Sequence, residues 1–133
     1  LIDPKVFRFS IEGDAVAWER VTGIEQRRVP DRTRRFERDV WLSARVAGAR
    51  LGMFDGPVLL GVRFGIRHKT KTGPCDRRPD LDNLVKAVKD GLKPIWRDDA
   101  QVVGYLGYPQ TGKFYMQTPK TEVVILSLEA VLL

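Results

Sequence analysis

Asp80 and Asp82 stand one residue apart in Arg78-Pro79-Asp80-Leu81-Asp82-Asn83-Leu84-Val85-Lys86, and a second acidic pair follows in Trp96-Arg97-Asp98-Asp99-Ala100-Gln101-Val102. Magnesium prefers carboxylate oxygens, and it needs only one or two carboxylates when waters and substrate phosphate oxygens complete its shell. Lys86 lies one helical turn beyond Asp82, where an ammonium can offset charge building on a phosphate. The stretch therefore reads as a divalent-metal site for phosphodiester chemistry, with Asp80, Asp82 and Asp99 as ligands and Lys86 beside them. A structural reading stands next to it. Asp82 can be a helix N-cap, Asp82, Lys86 and Asp90 an ion-pair ladder, and Asp98-Asp99 turn formers. That reading leaves two acidic centres and a lysine flanking one helix, in a strongly basic chain, without a common cause.

The elements that must hold these residues are visible in the apolar spacing. Pro79 favours an extended approach to Asp80, and a helix follows from Asp80–Asp82 with Leu81, Val85, Val88 and Leu92 on one stripe. Pro94 ends it near Lys93. An earlier helix starts at Asp31 or Thr33, carries Phe36, Val40, Ala44, Ala47 and Leu51, and runs to about Arg50, stopping near Gly52. Four strands are predicted: Val6–Ile11, a run opened by Pro57 with Val58, Leu60, Val62, Phe64 and Ile66 on its apolar face, Val102–Tyr108, and Glu122–Leu128. Ala15 to Pro30 reads as a loop with an irregular strand across Val16–Val21, and Pro109–Lys113 as a hairpin-like loop. The fold class is α+β, a mixed sheet of about four strands with two main helices packed on it, forming one domain over residues 1–133.

Composition narrows the partners. The chain has 133 residues and a formal net charge of +6, with a sequence pI near 9.8. A basic domain that still keeps its acids in tight clusters suits a polyanion with a local cation site. Six arginines lie between Arg27 and Arg38, where either a solvated helix face or phosphate contact accounts for them. One cysteine, Cys75, and one histidine, His68, exclude an internal disulfide and the usual zinc sets. His68 reads as a hydrogen-bonded structural residue and Cys75 as incidental. The lone cysteine makes a reducing, cytoplasmic setting the default expectation. No apolar run is long enough to span a bilayer, so no membrane attachment is expected, and no organic cofactor is expected.

The paired acidic motif, Arg78 to Leu92 continued by Trp96 to Val102, resembles the signature of the RusA-type Holliday junction resolvases, common in phages and prophages. The resemblance covers Arg78–Val103 strongly. It extends weakly over Val6–Val46, where Arg20-Val21-Thr22 and Thr33-Arg34-Arg35-Phe36 echo the family's early basic loop and first helix. It implies a homodimeric endodeoxyribonuclease of bacterial or phage-infected cytoplasm that nicks four-way junctions symmetrically with Mg²⁺, Mn²⁺ being able to substitute. By position, Asp80, Asp82 and Asp99 match the family's catalytic, metal-binding aspartates, Lys86 its essential lysine, and Asp98 the neighbouring acid of the metal set. Arg20, Arg27, Arg28, Arg34, Arg35, Lys69, Lys71, Arg77 and Arg78 are the expected phosphate contacts. The chain departs from the pattern at Trp18, where relatives carry a basic residue, and over 69–77, which is longer and more basic. Three alternatives remain: a less selective nuclease of branched DNA, a non-catalytic branched-DNA-binding protein, and a dimeric partner whose acids are only ion pairs.

Overall fold

Strand alternation settles the sheet. The computed structural model describes residues 5–19 and 31–128. Strand β1 (Val6–Glu12) alternates without a break and buries Phe7, Phe9 and Ile11. Strand β2 (Val58–Arg67) turns Val58, Leu60, Val62 and Phe64 into the core, all with no exposed surface. The last strand of the sheet, β6 (Lys120–Ser127), is antiparallel to both β1 and β2 and lies between them. That central position explains its apolar run, Val123-Val124-Ile125, because both faces of a middle strand are at least partly covered.

The other edge of β2 is shared. Strand β4 (Val102–Tyr105) pairs parallel with its first residues, Val58 to Leu60, and β5 (Gly112–Met116) pairs parallel with its last, Arg63 to Arg67. Strand β3 (Gly73–Pro74) adds an antiparallel bridge to β5. The sheet therefore has six strands where the sequence marks four. The missed pair are β3 and β5: Gly112 and the preceding Pro109 read as turn signals, and β5 is too short for its alternation to stand out. The segment Pro109–Lys113 is accordingly not a hairpin loop. It carries the chain from one parallel strand to the next along the same edge, and the strand expected to reach Tyr108 stops at Tyr105. No strand is present over 16–19, and the rest of that expected element lies outside the described residues.

Two helices cover the apolar face. Helix α1 (Asp31–Val46) buries Thr33, Phe36, Val40 and Ala44. It ends at Val46 rather than near Arg50, because Gly48 takes a φ of +111°. There the Gly48 amide donates to the Arg45 carbonyl at 3.0 Å and the Ala49 amide to the Ala44 carbonyl at 2.9 Å, the paired closure that glycine permits. Ala47 and Leu51 consequently leave the predicted stripe, and Leu51 is 74% exposed. Thr33 does not cap: its hydroxyl donates to the Ala17 carbonyl at 3.5 Å, joining segment 14–19 to α1. Helix α2 (Leu81–Gly91) buries Leu84, Val85, Ala87 and Val88, and Leu92 is fully buried just past its end. A 3-10 turn at Lys93–Ile95 follows, with Pro94 inside it, and a second at Asp99–Gln101 leads into β4. Among the described residues no helix is long and apolar enough to cross a membrane.

Candidate metal-binding groove and nucleic-acid face

The approach to α2 is pinned from behind. Lys113 on β5 donates from Nζ to the carbonyls of Arg77 (2.5 Å) and Pro79 (2.9 Å). Asp80 then sits at the N-cap with extended backbone, φ −67° and ψ 140°, and its side chain makes no capping hydrogen bond. The helix therefore spends the Asp80 carbonyl, which accepts from the Leu84 amide at 3.2 Å, and leaves the carboxylate free for other work. Asp82 is in the first turn, where the unpaired N–H groups favour negative charge. The Asn83 backbone carbonyl accepts from the Trp18 amide at 2.9 Å and so ties segment 14–19 to the start of α2.

The second acidic pair divides its labour. Asp98 caps the 3-10 turn, its Oδ1 accepting from the Ala100 amide at 2.8 Å. Gln101 completes the box, its Oε1 accepting from the amides of Arg97 (2.8 Å) and Asp98 (3.1 Å). The same Gln101 side chain donates from Nε2 to the carbonyls of Phe54 (2.9 Å) and Gly56 (3.1 Å), which locks the turn to the loop before β2. Asp99 is held differently, since its Oδ1 accepts from the indole N–H of buried Trp96 at 3.3 Å. Its other oxygen is not used by that bond.

Asp82, Lys86 and Asp99 meet on one groove of about 570 Å³, shared with Leu81, Val85, Lys89, Asp90, Tyr105 and Thr111. Asp80 and Asp98 do not line it. Of the Asp82–Lys86–Asp90 ladder only one rung forms, Lys86 Nζ to Asp90 Oδ2 at 3.5 Å, and Lys93 shares the same carboxylate at 3.8 Å. Among the described residues, Asp82 has neither an ion-pair nor a hydrogen-bond partner. The Lys86 ammonium also lies 5.1 Å from the ring centroid of Trp18. Glu37, on the facing side of α1, has its carboxyl pushed up by burial and by Asp90, against the opposing pull of Lys93, Lys86 and Arg34.

Metal fit follows from these donors. Among the described residues, no three carboxylate, histidine or cysteine side chains are grouped to hold an ion by themselves. The groove instead offers Asp82 and Asp99, with Asp90 also on its wall but paired to Lys86 and Lys93, and with Asp80 two residues before Asp82 in sequence but outside the lining. That set suits a cation whose remaining positions are filled by water and phosphate, the usual magnesium arrangement, and does not make an all-protein cage.

The expected phosphate contacts are distributed unevenly. Arg34 and Arg35 share a surface cleft of about 420 Å³ with Arg38 and Asp31. Lys69, Lys71, Arg77 and Arg78 are exposed in the segment that leads to α2, and Lys71 Nζ lies 5.5 Å from the Tyr115 ring centroid. His68 organises this segment, its Nδ1 accepting from the amides of Thr70 (3.1 Å) and Lys71 (2.9 Å). Cys75 is buried and unpaired by any disulfide. Arg20, Arg27 and Arg28 lie outside the described residues. Sequence reasoning missed Gln101, Lys113, Lys89, Tyr105 and Thr111 as site-forming residues. The Asp98-x-x-Gln101 spacing could have identified the first, whereas the others depend on long-range packing.

The sequence profile of the family described as Endodeoxyribonuclease RusA matches residues 15–126. A stretch of 54 residues is 44% identical to the uncharacterized protein YqaN of Bacillus subtilis (strain 168), covering 40% of this chain and 35% of that protein. The family match takes in both acidic pairs, α1, α2 and most of the sheet. The chain belongs to the Endodeoxyribonuclease RusA family.

Proposed function

We propose that the chain is a Mg²⁺-dependent, structure-selective endonuclease that resolves four-way DNA junctions by paired symmetric nicks. The observation that supports this reading best is the groove itself: carboxylates from α2 and from the turn after Trp96 face it together with Lys86. Asp82 and Asp99 are the residues that would hold the metal, with Asp80, two residues before Asp82 in sequence, as a further candidate ligand, and Mn²⁺ is expected to serve in place of Mg²⁺. When bound, the metal supplies an activated water and neutralises negative charge in the transition state. Lys86 exchanges its surface pairing with Asp90 for a phosphate oxygen, which places a cation where charge grows. Trp96 holds Asp99 in orientation through its indole N–H. Arg34, Arg35, Lys69, Lys71, Arg77 and Arg78 position the DNA backbone without reading bases. Paired nicks on a substrate of approximate two-fold symmetry call for two such sites related by a dyad, so a C2 homodimer is the expected assembly.

The test is cleavage of a synthetic four-way junction. Wild type with Mg²⁺ should produce symmetric nicks, chelator should abolish them, and Asp82→Asn and Asp99→Asn should each lose cleavage by about 10²-fold or more while still binding the junction. Tight binding of junctions left uncut by wild type with Mg²⁺ or Mn²⁺ would instead favour a non-catalytic branched-DNA-binding protein. Equal cutting of flaps and junctions would favour a less selective nuclease.

A further inference from the structure

We propose that the groove beside Asp82 and Asp99 is also a nucleobase subsite, in which the Tyr105 ring stacks an unpaired base next to the scissile phosphate. The inference rests on the nuclease reading above and adds a ligand to the same groove. Tyr105 is the last residue of β4, and its register opposite Leu60 places it on the helix-covered side of the sheet, at the open edge. It is 50% exposed and lines the groove together with Asp82 and Asp99.

An exposed tyrosine on an edge strand usually needs no explanation. This one has company that changes the case. Leu81 and Val85 add apolar surface to the same groove, and Lys89 brings its ammonium to 5.8 Å from the Tyr105 ring centroid. Metal-assisted hydrolysis alone needs carboxylates, water and a phosphate, and gains nothing from an aromatic ring and aliphatic side chains. A nucleobase has apolar faces and a polar edge, and its own phosphates flank it on either side. The groove answers both, with the ring for the face and Lys86 and Lys89 for the charge.

The volume, about 570 Å³, is within the range that takes a small organic ligand. Thr111, also in the lining, is already engaged, its Oγ1 accepting from the Val62 amide at 3.4 Å, so it borders the subsite as a fixed wall. A base enters such a site only after leaving its stack, and that costs least where pairing is already disturbed. Base pairs at a branch point lose a stacking neighbour wherever the arms are held unstacked. The subsite would therefore favour branched over continuous DNA without reading sequence.

Single-turnover cleavage of four-way junctions tests this with wild type, Tyr105→Phe and Tyr105→Ala. Each is assayed on an intact junction and on two junctions abasic on one side or the other of the scissile phosphate. Tyr105→Phe should keep the wild-type rate within about twofold, while Tyr105→Ala should lose on the order of tenfold on the intact junction. One abasic junction should slow wild type by a similar factor and show no further loss with Tyr105→Ala. Equal Tyr105→Ala losses on intact and abasic junctions would overturn the proposal. So would wild type cutting both abasic junctions as fast as the intact one, whatever the stability of the alanine variant. Wild type that cuts no branched DNA at all sinks the nuclease reading itself, which separates that failure from the failure of the subsite.

Discussion

Gln101 uses one amide group for four hydrogen bonds, two accepted from the Arg97 and Asp98 amides and two donated to the Phe54 and Gly56 carbonyls. Through them it sets where Asp99 stands. Gln101→Glu keeps the accepting half and replaces the donating half with a carboxylate facing two carbonyls. We expect it to cost about 2 kcal/mol, read as a lower melting temperature, and to reduce kcat more than KM in junction cleavage. Gln101→Ala should lose the cap as well and destabilise further. At this scale the sequence was informative about chemistry and poor about division of roles. Asp82, Lys86 and Asp99 could be chosen because their spacing is local to one helix and one turn. The commitment of Asp98 to a cap was open to the Asp98-x-x-Gln101 spacing, whereas the placement of Trp18 against Lys86 and the tie from Gln101 to the loop before β2 depend on long-range packing, which no local spacing reveals.

Helix α2 packs tightly against α1 at Gly91. A Cβ there would stand 2.7 Å from the Glu37 carbonyl oxygen and 2.9 Å from Val40 Cβ, contacts that force the helices apart. Gly91→Ala should therefore destabilise by about 1–3 kcal/mol despite the better helix propensity of alanine, measurable by denaturant unfolding. The same interface holds Glu37. Because burial and Asp90 raise its pKa, the folded state binds its proton more tightly than the unfolded chain does, and ionising it costs stability as pH rises through the raised value. Glu37→Gln should raise the melting temperature at neutral pH. The gain should shrink in acid, where glutamate is protonated in both states, and it should be modest because Lys93, Lys86 and Arg34 already offset part of the charge. Helix α2 was legible from its stripe and from Pro94. The end of α1 was not, because Ala47 and Leu51 continue its apolar spacing and only the backbone at Gly48 breaks it. Strand β5 escaped because its pairing partner, Arg63 to Arg67, is nearly fifty residues away in sequence.

Across the whole molecule, a net charge of +6 surrounds a groove that needs acids, so DNA has to be drawn in by residues away from the chemistry. Arg34 and Arg35, on the cleft of α1, are the described residues best grouped for this. Measured on the cleavage-deficient Asp82→Asn background, replacing either with alanine should weaken junction binding and flatten the plot of log K against log salt by about 0.9. An unchanged slope would remove that arginine from the phosphate path. The α+β class and the central place of β6 were readable from alternation and from an uninterrupted apolar run. The shared edge of β2 was not, since parallel pairing leaves no turn signature. Because β4 and β5 are each registered against β2 on their own, the crossing between them is not needed to align either one. Residues 107–110 should tolerate exchange as a cassette where the replacement keeps a carbonyl at position 107 for the 110 and 111 amides and a ring at 108 stacked on Phe114, with Tyr105 and Thr111 left standing on both sides of the cut.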